Sequence, residues 1–176
     1  MTEWEKLSQN HLYDESHIET VYIAGGCLWG VQHFFDRVPG VVSTEAGRAN
    51  GKTESLDGPY DGYAECVKVV FDDRMTTITE LMKHLFEIID PYSLNKQGVD
   101  VGEKYRTGIY SMSPRHLEEA KAVIAQREDR DKIMVEVLPL SNYVKSAEEH
   151  QHHLERYPED CSYCHIPDEV LNKYRR

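Results

Sequence analysis

The apolar positions of this chain change period several times, and each change predicts an element. Val21 to Ala24 form a short apolar run that stops at Gly25-Gly26, the pattern of a buried strand. Beyond Cys27, Leu28, Val31, Phe34, Phe35 and Val38 recur at helical spacing until Pro39-Gly40 ends the run. A strand is therefore predicted to pass through a diglycine turn straight into a helix, with Cys27 at the helix start. Val41-Val42 opens a second strand, and residues 47–63, rich in Gly, Asp and Ser, read as a loop. Glu65 to Asp72 alternates as a strand does. Ile78, Leu81, Met82, Leu85, Phe86, Ile88 and Ile89 then form the stripe of a second helix, closed by Pro91. Residues 91–104 read as another loop and Thr107–Met112 as a strand. Ser113-Pro114 reads as the N-cap and first residue of a third helix, with Leu117, Ala120, Val123 and Ile124 on its buried face. Ile133 to Leu138 forms a last strand, and residues 146–156 a short helix rich in His and Glu.

The order β-α-β-β-α-β-α-β implies an α+β two-layer sandwich: a ferredoxin-like core whose mixed or antiparallel sheet carries helices packed on it. The chain has 176 residues and no repeat or linker, so one domain over 1–176 is expected. Residues 1–19 read as an N-terminal leader and 157–176 as a C-terminal tail.

Charge narrows the partners. Against 20 Lys and Arg stand 31 Asp and Glu, a formal net charge of -11. That balance disfavours a nucleic-acid binder, whose affinity rests on neutralising phosphates, and disfavours docking on anionic membrane lipid. Met1 to Thr20 lack the basic start and apolar stretch of a secretory signal, and no window approaches 18 consecutive apolar residues. The expectation is a cytoplasmic monomer in a reducing compartment, where paired cysteines tend to be catalytic or metal-bound.

The four cysteines are Cys27, Cys66, Cys161 and Cys164. Cys27 follows two glycines and heads a helix, where unpaired amides and the helix dipole favour a thiolate and lower a thiol pKa from about 8.5 to roughly 3.5–7.5. That is a nucleophile's position, although a buried structural thiol is the alternative for any lone cysteine. The tail admits other readings. Cys161-Ser162-Tyr163-Cys164-His165 fits the Cys-x-x-Cys-His pattern of covalent haem attachment. His150, His152, His153, Cys161, Cys164 and His165 could also supply the four ligands of a structural zinc, making the chain a zinc-binding interaction module.

Gly25-Gly26-Cys27-Leu28-Trp29-Gly30 resembles the Gly-Gly-Cys-Phe-Trp signature of A-type peptide methionine sulfoxide reductases. Further blocks follow in the family's order: Gly62-Tyr63-Ala64-Glu65, Asp90-Pro91, Asn95 to Asp100, Gly102 to Arg106, Ala147 to Gln151, and Tyr163-Cys164-His165-Ile166. The resemblance implies reduction of methionine S-sulfoxide, free or protein-bound, with no cofactor and no metal. Cys27 would attack the sulfoxide sulfur and become a sulfenic acid, with Glu65 protonating the oxygen and Tyr105 and Tyr60 hydrogen-bonding it. Leu28 and Trp29 would hold the methyl group, and Asp100 the substrate amide or a supporting water network. Cys164 would resolve the sulfenic acid to a disulfide, Cys161 would relay it, and thioredoxin would reduce it. Cys66, on the opposite strand face from Glu65, reads as inert core. The sequence departs from the family at Leu28 (usually Phe), Tyr63 (His), Val99 (Asn), Arg48 (a frequent Tyr) and in a shortened loop from Thr53 to Gly62, which bears on substrate preference.

Overall fold

Strand β1 (Ile18–Gly25) turns Val21 and Ile23 toward the main apolar core and Tyr22 and Ala24 toward a smaller one, the alternation that a pleated strand imposes. This computed structural model describes residues 15–53, 55, 56, 58–163, 165–171 and 173, and only the backbone of residues 15, 161–163 and 168. After β1 come helix α1 (Leu28–Phe35), β2 (Val41–Ala49), β3 (Ala64–Asp72), α2 (Ile78–Ile88), β4 (Lys96–Gln97), β5 (Asp100–Val101) and β6 (Thr107–Ser111). Helix α3 (Pro114–Ala125), β7 (Glu136–Pro139), β8 (Tyr143–Lys145) and the one-turn helices α4 (His153–Arg156) and α5 (Asp168–Leu171) complete the order.

Six strands form one sheet in the order β7-β6-β1-β3-β2-β8, and β4 and β5 form a separate hairpin. Among the described residues only the β6–β7 pair is parallel. The inner order β6-β1-β3-β2, with α1 between β1 and β2 and α2 between β3 and β6, is the ferredoxin-like βαββαβ arrangement read from the sequence. Phe34 and Phe35 of α1 and Leu81, Met82 and Leu85 of α2 are fully buried with Val67, Val69 and Phe71 of β3. Truncating either phenylalanine to alanine would cost about 3–5 kcal/mol. On the other face Cys66, Ala24, Ala49, Ala64 and Tyr110 make the smaller cluster, with Tyr22 and Tyr143 against it. No helix among the described residues is long and apolar enough to cross a membrane.

Several boundaries differ from the sequence expectation. The first strand begins at Ile18, because the ladder from Ile18↔Asp72 to Ile23↔Val67 draws two residues of the expected leader into the sheet. Likewise β2 runs on through Gly47, Arg48 and Ala49, which pair with Cys66, Glu65 and Ala64. The expected loop at 91–104 contains the β4–β5 hairpin, the expected strand at 133–138 starts at Glu136, and β8 was not anticipated. On α3 the fully buried positions are His116 and Ala120, while Val123 and Ile124 are partly buried. His116 is held by Ser111 Oγ at 2.7 Å and Glu19 Oε1 at 2.5 Å.

The expected helix at 146–156 is broken. Residues Glu148–His150 form a 3-10 turn, His152 adopts left-handed backbone angles (φ 51°), and only His153–Arg156 are α-helical. The Gln151 side chain explains the break. Its Oε1 accepts from Ala46 N–H at 2.8 Å and its Nε2 donates to the Ala46 and Ser146 carbonyls at 2.9 Å, continuing the β2 edge where β8 stops. The next amide, His152 N–H, donates to Gln32 Oε1 at 2.8 Å instead of to a helical carbonyl.

Candidate active site

Gly26 makes the turn between β1 and α1 with φ 93°, a backbone state that glycine adopts without strain. The turn is also crowded. A Cβ there would lie 2.8 Å from Gln97 Cβ and 2.9 Å from His165 Cε1, so the β4–β5 hairpin and the start of the tail both press on the residue before Cys27. Cys27 is the N-cap of α1, with extended backbone and no side-chain cap bond of its own. The Glu65 carboxylate takes the capping place instead: Leu28 N–H donates to its Oε2 at 3.3 Å. Helix start and strand start are thereby joined, and the carboxyl sits beside the cysteine.

A cleft of about 200 Å³ opens there. Cys27, Leu28 and Trp29 line it from α1, Glu65 from β3, Asp100 from β5, and Tyr105 from the 3-10 turn Glu103–Tyr105. All six belong to the set expected from the sequence. Arg48, Ser146 and His150 also line it. Arg48 was visible in the sequence only as a departure from a family pattern, and His150 only as a member of a histidine-rich segment. Both reach the cleft through long-range pairing, Arg48 opposite Glu65 in the β2–β3 ladder.

Burial dominates at Glu65 and pushes its carboxyl up to about 7, against the opposing pull of the Leu28 amide and the Lys104 and Arg48 charges. Near neutral pH the group can therefore carry a proton, unlike an ordinary carboxylate. Burial also raises the Tyr105 phenol, which keeps it a neutral donor. Asp100 Oδ2 is buried with no hydrogen-bond partner among the described residues.

Trp29 is fixed by two histidines. Its indole Nε1–H, which can only donate, hydrogen-bonds to His150 Nδ1 at 3.2 Å. The His153 ring stacks on Trp29 with centroids 3.7 Å apart and planes 7° off parallel. His152 Nδ1 bonds Asp36 Oδ2 at 2.8 Å and His153 Nε2 bonds Asp160 Oδ2 at 2.7 Å. The histidines considered as zinc ligands thus support the aromatic wall and the 150s turn. Among the described residues no three His, Cys, Asp or Glu side chains gather to hold a metal.

Tyr60 lies elsewhere. It does not line the cleft; it is 46% exposed, its ring meets Tyr63 edge-on, and its hydroxyl donates to the Tyr63 carbonyl at 2.5 Å. Of the expected substrate-binding residues it is the one not brought to the cleft lining, and Glu103 and Arg106 are its charged neighbours. Cys66 is 1% exposed on the opposite face of β3. Cys164 and the Cys161 side chain lie outside the described residues. The described part of the tail returns to the site at His165, whose ring sits against Gly26 and whose Cβ would lie 2.7 Å from a Cβ at Gly98.

Comparison with known proteins agrees with this geometry. The family model described as peptide methionine sulfoxide reductase matches residues 19–175. The peptide methionine sulfoxide reductase MsrA of Clostridium perfringens (strain SM101 / Type A) is 45% identical over 157 residues, covering 85% of this chain and 98% of the relative. That of Ureaplasma urealyticum serovar 10 is 37% identical over 156 residues, covering 85% and 93%. Among solved structures, reduced Mxr1 from Saccharomyces cerevisiae superposes with a TM-score of 0.75 at 28% identity, over 84% of this chain and 90% of that one. Mxr1 has also been solved in complex with Trx2 (TM-score 0.56, 23% identity, 80% and 88% covered). A family match from the first sheet strand to the tail, together with a cleft that assembles six of the expected side chains, leads to one conclusion: this chain belongs to the peptide methionine sulfoxide reductase family.

Proposed function

We propose that this protein reduces methionine S-sulfoxide to methionine at the Cys27 cleft. The observation that carries the reading is the pairing of Cys27, at a helix N-terminus, with a buried carboxyl that holds a proton near neutral pH. A sulfoxide becomes a good electrophile only as its oxygen is protonated. The Cys27 thiolate attacks sulfur while Glu65 delivers its proton to the oxygen and Tyr105 donates a hydrogen bond to it. Trp29 and Leu28 offer an apolar wall to the methyl group, and Asp100 accepts from the substrate nitrogen. The oxygen passes to Cys27 as a sulfenic acid, a reversible oxidation state, and methionine leaves.

In the second half-reaction the Cys164 thiol displaces the sulfenic oxygen as water and forms a Cys27–Cys164 disulfide. Cys161 passes the disulfide outward, and a thioredoxin reduces it, in line with the Trx2 complex solved for Mxr1. The thiol chemistry and the acidic composition fit a monomer in a reducing cytoplasm without nucleic-acid or membrane partners.

The test is stoichiometric. Reduced protein mixed with separated sulfoxide epimers, without added reductant, should release about two methionines per chain from the S epimer, the second after transfer of the disulfide to Cys161–Cys164 frees Cys27, and none from the R epimer. Reduction of the R epimer, or of neither, would defeat the reading. Cys164→Ser should release only about one methionine per chain and then stall; continued cycling with thioredoxin would move the resolving role to Cys161.

A further inference from the structure

The reaction at sulfur leaves one charged group of the cleft without a role. Arg48 lines the cleft from the end of β2, across the ladder from Glu65. Its guanidinium stacks 4.4 Å from the Tyr63 ring centroid, and its Nη1 donates to the Leu56 carbonyl at 3.3 Å. Those contacts orient the head at the side of the cleft bounded by the loop between β2 and β3. The Leu56 bond engages one of five N–H donors, arranged in a permanently charged planar fork that matches a carboxylate. Asp100 lines the same cleft, and its buried Oδ2 has no hydrogen-bond partner among the described residues.

A fixed cation and a bare carboxylate oxygen in one cleft complement the two poles of an amino-acid zwitterion. A methionine sulfoxide inside a peptide presents neither pole, only neutral amides. We propose that Arg48 binds the α-carboxylate of free methionine S-sulfoxide and, with Asp100 facing the α-ammonium, makes the free amino acid the preferred substrate of this cleft. The inference rests on the reductase reading above and names its substrate class.

The charge of the whole molecule favours the same choice. At a net charge of -11 the protein repels an acidic peptide, which could otherwise satisfy Arg48 with a side-chain carboxylate. A zwitterion carries no net charge, so only the local pair acts on it.

The experiment compares, for the full chain with dithiothreitol as reductant, the S epimers of free methionine sulfoxide, its primary amide, its N-acetyl derivative and its N-acetyl amide. The wild-type kcat/KM should fall about tenfold from the free acid to the primary amide, mainly through KM, a difference of about 1.4 kcal/mol. Arg48→Met should bring that acid-to-amide ratio to about one, and Arg48→Lys should keep part of it, since lysine retains the charge but not the fork. Because the ratio is taken within one variant, loss of folded protein cancels. A wild-type ratio near one, or a ratio that Arg48→Met leaves unchanged, overturns the proposal while the reductase reading stands. Failure to reduce any of the four compounds overturns both.

Discussion

Cys27 and Cys66 are the same functional group in two settings, and the contrast shows how the fold assigns reactivity. Cys27 is half-buried where β1 hands over to α1, beside helix amides and the Glu65 carboxyl. Cys66 is one residue along the strand from Glu65 yet faces the opposite side of the sheet, with Tyr22, Tyr110 and Tyr143 around it. Burial pushes its thiol up, and the nearby Glu65 and Glu45 charges add to the effect. Since the thiolate is the nucleophile, this setting disfavours reaction at Cys66. Two-residue alternation along β3 puts the Glu65 carboxyl and the Cys66 thiol on opposite faces of the sheet with no further device.

The largest way to break this contrast is to replace the thiol by a hydroxyl at each place. Cys27→Ser should abolish methionine formation. Cys66→Ser should retain it but lower the melting temperature, because a hydroxyl buried without a partner costs about 1–3 kcal/mol. Turnover in the first variant, or its loss in a folded second variant, would reverse the assignment.

Glu65→Gln comes next, with the single-turnover rate expected to fall roughly 10²–10⁴-fold. The pH profile gives a sharper reading. Burial holds the Glu65 carboxyl at about 7, so its proton-donating form is lost as pH rises through that value. The wild-type rate of methionine formation should decline on that limb, and Glu65→Gln should show no such decline. An unchanged alkaline limb in the variant would assign the titration to another group.

Gly26→Ala tests the turn that presents Cys27. The positive φ and the contacts at 2.8 and 2.9 Å with Gln97 and His165 predict a stability loss of roughly 1–3 kcal/mol, read by denaturant unfolding, together with a slower reaction. A neutral substitution would mean that the hairpin and tail do not brace the turn. The smallest expected effect is Trp29→Phe, which removes the indole donor to His150 while keeping a ring under His153. Its stability cost should be about 0.5–1.5 kcal/mol.

Legibility from sequence followed the range of the interactions. The Gly25-Gly26-Cys27 turn, the α1 stripe and the parity that separates Glu65 from Cys66 are local, and periodicity and turn chemistry carry them. Placements set by distant pairing were hidden. Arg48 enters the cleft because β2 runs to Ala49 in register with β3, and a three-residue β8 has no periodicity to read. The 146–156 segment has helical composition, but the Gln151 amide finds strand partners at Ala46, so the segment breaks and His150 swings under Trp29. Tyr60 was offered by the family resemblance of its loop, and a resemblance does not place a hydroxyl, which here bonds the Tyr63 carbonyl.

The most direct test of the central claim uses a chain in which Cys161 and Cys164 are both serine, so that a sulfenic acid once formed has no tail thiol to condense with. After one exposure to methionine S-sulfoxide and trapping with dimedone, peptide mass spectrometry should find the adduct on Cys27, in proportion to the methionine released, and none on Cys66. An adduct on Cys66, or methionine released without modification of Cys27, would contradict the account.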